Sequence, residues 1–457
     1  MKKKGIALKP VLMVIVALLI SIPGLWLAIS RLEGKAPALE IEMESPFIGA
    51  ASTVGLSVED VGSGVRSVWV GLWVDGQEVE LVQRSFPSAG FFVGGSDKSV
   101  HLEVTVSPKS LGLADGKALM RVVARDYSLR QWGKGNQAYW ETEIQIDTQP
   151  PVIELISRAH NLAQGGSGVA IYRLSEACPA SGVAVGEHFY PGYAGHFEDP
   201  SVHLAFFALD YRQGKGTQLA VVATDYAGNQ STSSLVHHIN PRSFKKDTLT
   251  LSDTFLNASM PGFERFFPEL AGGSPVELFL RVNRDLRLRD DDAIFQATRQ
   301  PQREMLWSGT FLRLPRSANR AGFADQRTYL YGGKEIDQQV HLGIDLASTA
   351  HSPVPAANRG KVVFAGEQGI YGNTVIVDHG FGLFTLYSHL SRLDVSVGEM
   401  VDRGAPIGNT GMTGLAGGDH LHFSTLIHQT YVNPVEWWDE VWIHNNVSTK
   451  IEEAGSK

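Results

Sequence analysis

Short runs of alternating apolar and polar residues, broken by glycine, serine and aspartate, recur along this chain from Leu39 onward. Examples are SVHLEVTVS at 99–107, ALMRVVARDYS at 118–128 and YWETEIQID at 139–147. Because successive strand side chains point to opposite faces, this alternation predicts strands with one buried and one exposed face. The 48 glycines and 21 prolines supply turns between them, so the chain is predicted to be mainly β.

The bulk properties narrow the class of protein. A chain of 457 residues is too long for one ordinary core, and two to four domains are expected. The net charge of -8 argues against a nucleic-acid-binding surface. Cys178 is the single cysteine, so no intrachain disulfide forms, and its context RLSEACPASG gives no sign of an activated thiolate.

The N-terminus carries a candidate membrane span. Four lysines in MKKKGIALKP precede 20 uncharged residues, Val11 to Ser30, which is enough to cross a hydrocarbon core of about 30 Å as a helix. Arg31 follows directly and the small residues Ala36 and Ala38 come only after more charge, which favours an uncleaved signal anchor over a cleaved signal peptide. The lysines predict a cytoplasmic N-terminus. We therefore expect a single-pass protein of the cell inner membrane, with the bulk of the chain in the periplasm or cell envelope.

Two stretches about 100 residues apart repeat each other, which is about the length of one β-sandwich. VVARDYS at 122–128 matches VVATDYA at 221–227, and GSGV occurs at 62–65 and again at 166–169. The joint DTQPPV and the turn DYAGN resemble those of bacterial immunoglobulin-like modules. The resemblance implies two immunoglobulin-like β-sandwich modules.

The region after the second module changes character. Helical spacing and the candidate capping residues Ser252 and Ser274 predict a short helical connector. Its Arg/Asp cluster, Arg284 to Asp292, is predicted to be a solvated charged face.

Histidines and one aspartate concentrate in the β-rich C-terminal third. They lie in the segments HLGID (His341, Asp345), VDHG (His379), LYSHL (His389) and DHLHF (His420, His422). A zinc hydrolase needs three histidine or carboxylate ligands and one open position for water. His341, Asp345 and one of the two histidines of the H-x-H pair would satisfy this requirement. On a strand both histidines of the pair share one face, so one can bind metal while its neighbour reaches a bound water.

The order of these motifs resembles a known family. HLGIDLA, GNTVIVDHG, LYSHLS, VGEMVDRGAPIGNTGMTG and GDHLHF…YVNPVEWW together resemble the lysostaphin-type (LytM-domain) zinc metallopeptidases, which cleave peptide bonds in peptidoglycan. The resemblance implies a β-rich LytM-type domain that binds Zn²⁺. It implies His341, Asp345 and His422 as metal ligands, and His389 and His420 as the catalytic pair.

Residues near these motifs are expected to line a substrate groove. The candidates are Tyr329, Tyr371 and Asn373, with Arg327 beside them. Asp419 departs from the family pattern, in which Pro, Ser or Thr is more common. Its carboxylate could hydrogen-bond His420 and raise its pKa, contact substrate, or point to solvent.

Several other histidines of the chain are not expected to bind the metal or to take part in catalysis. His379 is expected to have a packing role, and His351 and His428 are expected at the surface. His237 and His238 are assigned no role.

These interpretations give one architecture. The predicted boundaries are 1–35 for the cytoplasmic lysines and transmembrane signal anchor, 36–149 and 150–241 for the two modules, 242–305 for the connector, 306–440 for the peptidase domain, and 441–457 for a polar tail.

The resemblance implies a membrane-anchored zinc metalloendopeptidase that hydrolyses peptidoglycan stem peptides or cross-links in cell-wall remodelling. The alternatives are a non-catalytic LytM-type activator or scaffold of other wall hydrolases, and a wall-binding module that does not cut. All five key residues are present, which favours the enzyme. Expected partners are peptidoglycan, the inner membrane through the N-terminal helix, and cell-envelope proteins bound by the β-modules; nucleic acid is not expected.

Overall fold

The computed structural model describes residues 8–455, which form two compact units. The first comprises 8–150 with 224–229, and the second comprises 151–223 with 230–455. Strands make up 43% of the residues and helices 21%, which confirms the prediction of a mainly β protein. The immunoglobulin-like character of the two modules stays a prediction.

The first unit begins with the helix Leu8–Arg31. Its segment Lys9–Ile29 is long and apolar enough to cross a membrane, with a mean hydropathy of 2.6 and none of its most apolar window buried in the protein. This is compatible with the predicted anchor. The lysines at 2–4, predicted to be cytoplasmic, lie outside the described residues.

Two sheets build the rest of the first unit, and alternate residues of their strands form its core. Val58, Val65, Val68, Leu72 and Met120 are completely buried. One sheet has the strand order Ala38–Glu42, Ser52–Glu59, Ser99–Val106; the other has the order Phe47–Ile48, Gln137–Ile146, Gly116–Asp126, Val65–Val74, Gln77–Ser85. The smaller elements are the strands Ser88–Gly90 and Gly94–Gly95, the 3₁₀ turn Pro108–Leu111 and the helical turn Arg130–Gly133.

The aspartate of the repeated DY motif makes equivalent hydrogen bonds in both copies, although the two loops differ in length. Asp126 Oδ1 accepts hydrogen bonds from the backbone N–H groups of Ser128 and Asn136, at 2.9 and 2.6 Å. Asp225 Oδ1 accepts from Ala227 and Asn229 at 2.8 and 2.9 Å. The sequence match therefore reflects a side chain that caps its own loop.

The second unit opens with the strands of the second predicted module. A three-stranded sheet has the order Ile153–Leu155, Ser167–Leu174, Val202–Ala208; a four-stranded sheet has the order His188–Pro191, Ala180–Val185, Leu219–Thr224, Gln230–Ser234; and His160–Ala163 pairs in parallel with His237–Asn240. Tyr172, Phe206 and Phe207 are completely buried here.

The connector region contains a strand as well as the predicted helices. Its elements are the strand Lys246–Thr250, the helices Asp253–Phe266, Pro275–Arg281 and Arg287–Ala297, the 3₁₀ turn Pro268–Leu270 and the π-helical turn Val282–Leu286. Ser252 caps the first helix by accepting from Phe255 N, and Ser274 forms a capping box with Glu277. Both predicted caps are confirmed.

The C-terminal region is built on an eight-stranded sheet. Its order is Ala318–Ala321, Ile344–Ala347, Leu421–Ile427, Leu383–Leu390, Gly372–Gly380, Gly360–Gln368, Met400–Val401, with Thr430–Val432 paired beside Leu421–Ile427. Two three-stranded sheets flank it, in the orders Lys246–Thr250, Asp325–Tyr331, Lys334–His341 and Pro353–Pro355, Pro406–Asn409, Arg392–Leu393. The connector strand thus joins a sheet of this region, in parallel with Asp325–Tyr331.

One hydrophobic core runs through the whole second unit. Trp437 is completely buried, and its ring lies 5.9 Å from Phe206 of the second module and 5.5 Å from Trp307. The structure differs from the expected polar tail, because 441–455 is almost entirely helical and buries Ile443 and Val447 in this core. Its elements are the helices Val435–Trp438 and Glu440–Ile443, the π-helical turn His444–Ser448 and the helix Thr449–Gly455.

Candidate metal centre

The three predicted metal ligands lie close together on neighbouring strands. His341 ends the strand Lys334–His341, and Asp345 lies directly opposite His422 in the antiparallel pair of Ile344–Ala347 with Leu421–Ile427. One ligand atom from each residue lies within 4.8 Å of the others. The structure therefore brings together His341, Asp345 and His422.

Hydrogen bonds fix which nitrogen of each imidazole faces the centre. His341 Nδ1 donates to the carbonyl of Gly322 at 2.8 Å, which leaves Nε2 as its free atom. The Ser424 hydroxyl donates to Leu342 O at 2.8 Å and accepts from His422 Nε2 at 3.0 Å, which leaves His422 Nδ1 free. Such outer contacts orient metal-ligating histidines and set their tautomers.

Asp345 completes the group with one oxygen and is held through the other. Its Oδ1 lies 2.9 Å from His341 Nε2 and 3.0 Å from His422 Nδ1. Its Oδ2 accepts a hydrogen bond from Arg327 Nη2 at 3.1 Å. Burial would raise the pKa of Asp345, but the surrounding histidines, His341 above all, outweigh it and hold that pKa well below its usual range.

This donor set suits zinc. Burial lowers the pKa of His422 to about 4, so its imidazole is neutral at physiological pH and its free nitrogen keeps a lone pair. Two neutral imidazole nitrogens and one carboxylate oxygen are typical ligands of a catalytic zinc ion with an open fourth position. The three residues therefore fit the metal that the motifs predicted.

The predicted catalytic pair lies beside this group. His389 Nδ1 donates to Thr413 O at 2.8 Å and His420 Nδ1 donates to Gly418 O at 2.7 Å, so each imidazole keeps Nε2 free. The two rings are 4.7 Å apart, and His420 Nε2 lies 3.5 Å from Asp345 Oδ1.

The environments of the two catalytic candidates differ. Burial lowers the pKa of His389 to about 3. Burial also acts to lower the pKa of His420, but the nearby Asp345 carboxylate outweighs it and the pKa is raised. His420 is therefore the stronger base of the two histidines.

The Asp419 carboxylate is hydrogen-bonded to groups other than the His420 imidazole. Its carboxylate accepts from the Thr410 hydroxyl at 2.6 Å and from the backbone N–H of His351 at 3.1 Å, so it joins two loops beside the site. The exposed position predicted for His351 is confirmed, with 69% of its side chain accessible.

His379 and His428 both lie away from the metal centre. His379 has the predicted packing role, since it is completely buried and bonds Arg359 O and the Thr385 hydroxyl. The surface position predicted for His428 is wrong. Its ring stacks on Tyr193 at 6.1 Å and its Nε2 is buried without a partner among the described residues.

The predicted groove residues divide between two cavities. Tyr329, Tyr371 and Arg327 line a cavity of about 360 Å³ that also contains the metal ligands and both catalytic candidates. Asn373 instead lines a neighbouring cavity of about 240 Å³, and its side-chain amide donates to Leu390 O at 3.0 Å.

The solvated face predicted for the Arg/Asp cluster of the connector is wrong for the buried Asp290 and the half-buried Asp291, whereas Arg284, Asp285, Arg289 and Asp292 are exposed. Asp290 is only 4% exposed, and its carboxylate accepts from Ile370 N at 2.7 Å and from Gln368 Nε2 at 3.2 Å. Asp291 accepts from the Tyr371 hydroxyl at 3.2 Å. The cluster therefore holds the loop that carries Tyr371. Its sequence resembles an exposed helix surface, and the partners that bury it lie about 80 residues further along the chain.

Two further residues of the site were not found from the sequence. Ser424 follows His422 by two positions on the same strand, so period-two alternation places it on the same face and could have identified it. Gly322 contacts His341 through its backbone carbonyl, which leaves no side-chain signal.

The site is a buried two-histidine, one-carboxylate centre with two further histidines beside it, which is the arrangement of a metal-dependent hydrolase. Residues 339–434 match Peptidase family M23, and this region of the chain is a LytM-type domain of that family.

Two curated relatives match this chain over about a fifth of its length. The DD-carboxypeptidase/endopeptidase Mpg of Neisseria meningitidis serogroup B is 42% identical over 97 residues, 21% of this chain and 22% of that protein. The peptidoglycan DD-endopeptidase ShyA of Vibrio cholerae is 36% identical over 96 residues, 21% of this chain and 22% of that protein. The catalytic domain of lysostaphin from Staphylococcus simulans aligns with a TM-score of 0.24 and 28% identity, over 28% of this chain and 96% of that domain. The chain spans about a fifth of the length of the curated relatives it matches.

Proposed function

We propose that this protein is a membrane-anchored zinc metalloendopeptidase that hydrolyses peptide bonds of peptidoglycan. The observation that carries the proposal is the orientation of the ligands. His341 Nε2, Asp345 Oδ1 and His422 Nδ1 converge, while the other polar atom of each side chain is held by the protein. The M23 domain and the relatives that are named as peptidoglycan endopeptidases support the substrate class.

The reaction follows from the positions of the two free imidazole nitrogens. A zinc ion held by His341, Asp345 and His422 would supply a Lewis acid that polarises the peptide carbonyl and acidifies water. His420, the stronger base, accepts the proton of the attacking water at Nε2 and delivers it to the leaving amine. His389, neutral and held by Thr413, accepts a hydrogen bond at Nε2 and orients the water.

The placement in the envelope rests on the N-terminal helix. Its Lys9–Ile29 segment would anchor the chain in the inner membrane, with the peptidase domain in the periplasm. The two β-modules would bind cell-envelope proteins.

Ligand and catalytic variants test the proposal on the full chain in detergent. With zinc, the wild type is expected to release peptide fragments from isolated sacculi, and a chelator is expected to abolish the release. His341→Ala and Asp345→Ala are expected to lose both zinc and activity, while His420→Ala is expected to retain zinc and lose activity. His351→Ala, which replaces an exposed histidine outside the ligand set, serves as the control and is expected to retain both.

The outcomes separate the enzyme from its alternatives. A zinc-loaded protein that binds sacculi but releases nothing supports a wall-binding module. Absence of release together with stimulation of another hydrolase supports a LytM-type activator. If His420→Ala also empties the metal centre, the division between ligands and catalytic pair is wrong.

A further inference from the structure

A second, larger cavity adjoins the metal centre. Its volume is about 890 Å³, and it shares Arg287, Arg327 and Tyr371 with the metal cavity. The second module contributes His188, Asp210, Tyr211 and Arg212 to its wall, and the connector and the peptidase domain supply the rest. A peptide bound at the metal centre would therefore extend past Tyr371 into this space.

The charged groups that line this cavity are mainly cationic. Arg212 is neutralised by Asp210, with an Arg212 Nε to Asp210 Oδ1 distance of 2.7 Å. Asp291 accepts from the hydroxyls of Tyr371 and Tyr431; burial raises its pKa, and the positive charge of Arg287 opposes that rise, so Arg287 is partly compensated by Asp291. The remaining charged residues of the lining are Lys246, Arg287 and Arg327.

These three cations are only partly compensated by protein carboxylates. Within residues 8–455, Lys246 and Arg287 form no ion pair, and Arg327 pairs with the ligand Asp345. Arg287 donates to the neutral Asn283, to its carbonyl at 3.1 Å and its side-chain oxygen at 2.7 Å. Lys246 stands opposite Gln326 in the parallel strand pair, next to Arg327.

We propose that this cavity binds a carboxylate of the peptide substrate through Lys246 and Arg287. Cations that protein carboxylates compensate only in part favour an anion in a concave site, and the arginine fork suits a carboxylate. The amide side chains of Gln326, Gln338 and Gln339 also line the cavity and match the hydrogen-bonding groups of a peptide backbone. The inference rests on the proposed peptidase function and assigns the second module a place in the substrate site.

Peptide substrates of matched shape test the proposal. A synthetic peptide cross-linked through D-Ala and diaminopimelate is prepared with all carboxylates free, with the C-terminal carboxylates amidated, and with the side-chain carboxylates amidated. The zinc-loaded full chain is assayed on each in detergent. Lys246→Gln is expected to raise KM about fivefold for the peptide with free carboxylates and to leave kcat unchanged. The lost contact is a partly exposed charge interaction, and it forms equally in the substrate complex and in the transition state.

The amidated peptides identify the carboxylate. For one of the amidated peptides, Lys246→Gln should no longer change KM. The carboxylates amidated in that peptide, C-terminal or side-chain, are the ones that the cavity binds. Lys245→Gln removes the same charge one position earlier, at a residue paired with Asp247 and absent from the cavity wall. This control is expected to leave KM unchanged for all three peptides.

Two results overturn the proposal. One is that the wild type has the same KM for the free peptide and for both amidated peptides. The other is that Lys245→Gln and Lys246→Gln change KM equally. If the wild type cleaves no peptide, the proposed function fails, and calorimetric binding of the same peptides to the zinc-loaded chain decides the subsite. A roughly fivefold loss of peptide affinity, caused by amidation or by Lys246→Gln, then supports the carboxylate subsite. Equal affinities for all peptides and both proteins refute the subsite.

Discussion

Replacement of Asp290 by asparagine should make the second unit more stable above neutral pH. Asp290 is 4% exposed and lies beside Asp291. Burial raises the pKa of its carboxyl from 3.8 to about 7, although hydrogen bonds from Ile370 and Gln368 oppose the rise. The folded protein therefore retains a proton that the unfolded chain releases between these two pH values.

The sign and size of this effect on the free energy of unfolding follow from the linkage between proton binding and folding. Because the folded-state pKa is raised, the contribution of Asp290 to stability is fully present below about pH 3.8 and is lost as pH rises through about 7. At about 1.36 kcal/mol per pKa unit, the ionised buried carboxylate costs roughly 4 kcal/mol. Asparagine carries no charge, keeps an acceptor for Ile370 N, and avoids this cost.

Urea unfolding at a series of pH values measures the effect. Unfolding of the full chain in detergent is followed by pulsed hydrogen exchange at one fixed pH, on peptides from 344–378. The free energy of unfolding of Asp290→Asn minus that of the wild type should increase by roughly 4 kcal/mol between about pH 4 and pH 8. Asp292→Asn removes the same charge from an exposed position and should show no such increase. A pH-independent difference for Asp290→Asn would refute the reasoning.

Three further predictions concern other contacts of the second unit. Arg327→Gln removes the donor that holds Asp345 Oδ2 and should weaken zinc affinity about tenfold, measured by competition with a chromogenic chelator; an unchanged affinity contradicts this. Glu436 is buried against Ser167, and burial raises its pKa to about 7, so wild-type stability should fall as pH rises from about 4.5 to 7. Glu436→Gln should reduce that fall by roughly 3 kcal/mol, measured by the same urea series. Trp437→Ala should lower the free energy of unfolding in urea by about 3–5 kcal/mol, because the fully buried ring packs between Phe206 and Trp307. A loss below about 1 kcal/mol would show that neighbouring side chains fill the space.

The sequence identified features that depend on local pattern. Alternation predicted the strands, and serine before a helical run predicted the caps at Ser252 and Ser274. The strands and the caps follow from rules that operate over a few residues. The ligand set came instead from the order of the motifs and the family resemblance, and the structure brings those ligands together because Asp345 and His422 pair across adjacent strands.

Features that depend on distant pairing were not accessible in this way. Asp290 lies in a run of charges typical of a solvated helix, yet a loop about 80 residues away covers it. That loop fits because Gly369 has no side chain: a Cβ there would lie 2.3 Å from the Asp290 oxygens. No local rule couples these two residues, and the same holds for the burial of His428 and of the C-terminal helices.

The strand Lys246–Thr250 and the residues Arg287 and Arg327 all precede the segment 339–434 that matches the peptidase family. The proposed metal ligands lie inside that segment, whereas these residues of the proposed substrate wall lie outside it. On the proposed function, the reaction chemistry and the choice of substrate therefore depend on separate stretches of the chain. Substitutions before residue 339 would then change substrate preference while the five proposed ligand and catalytic residues stay the same.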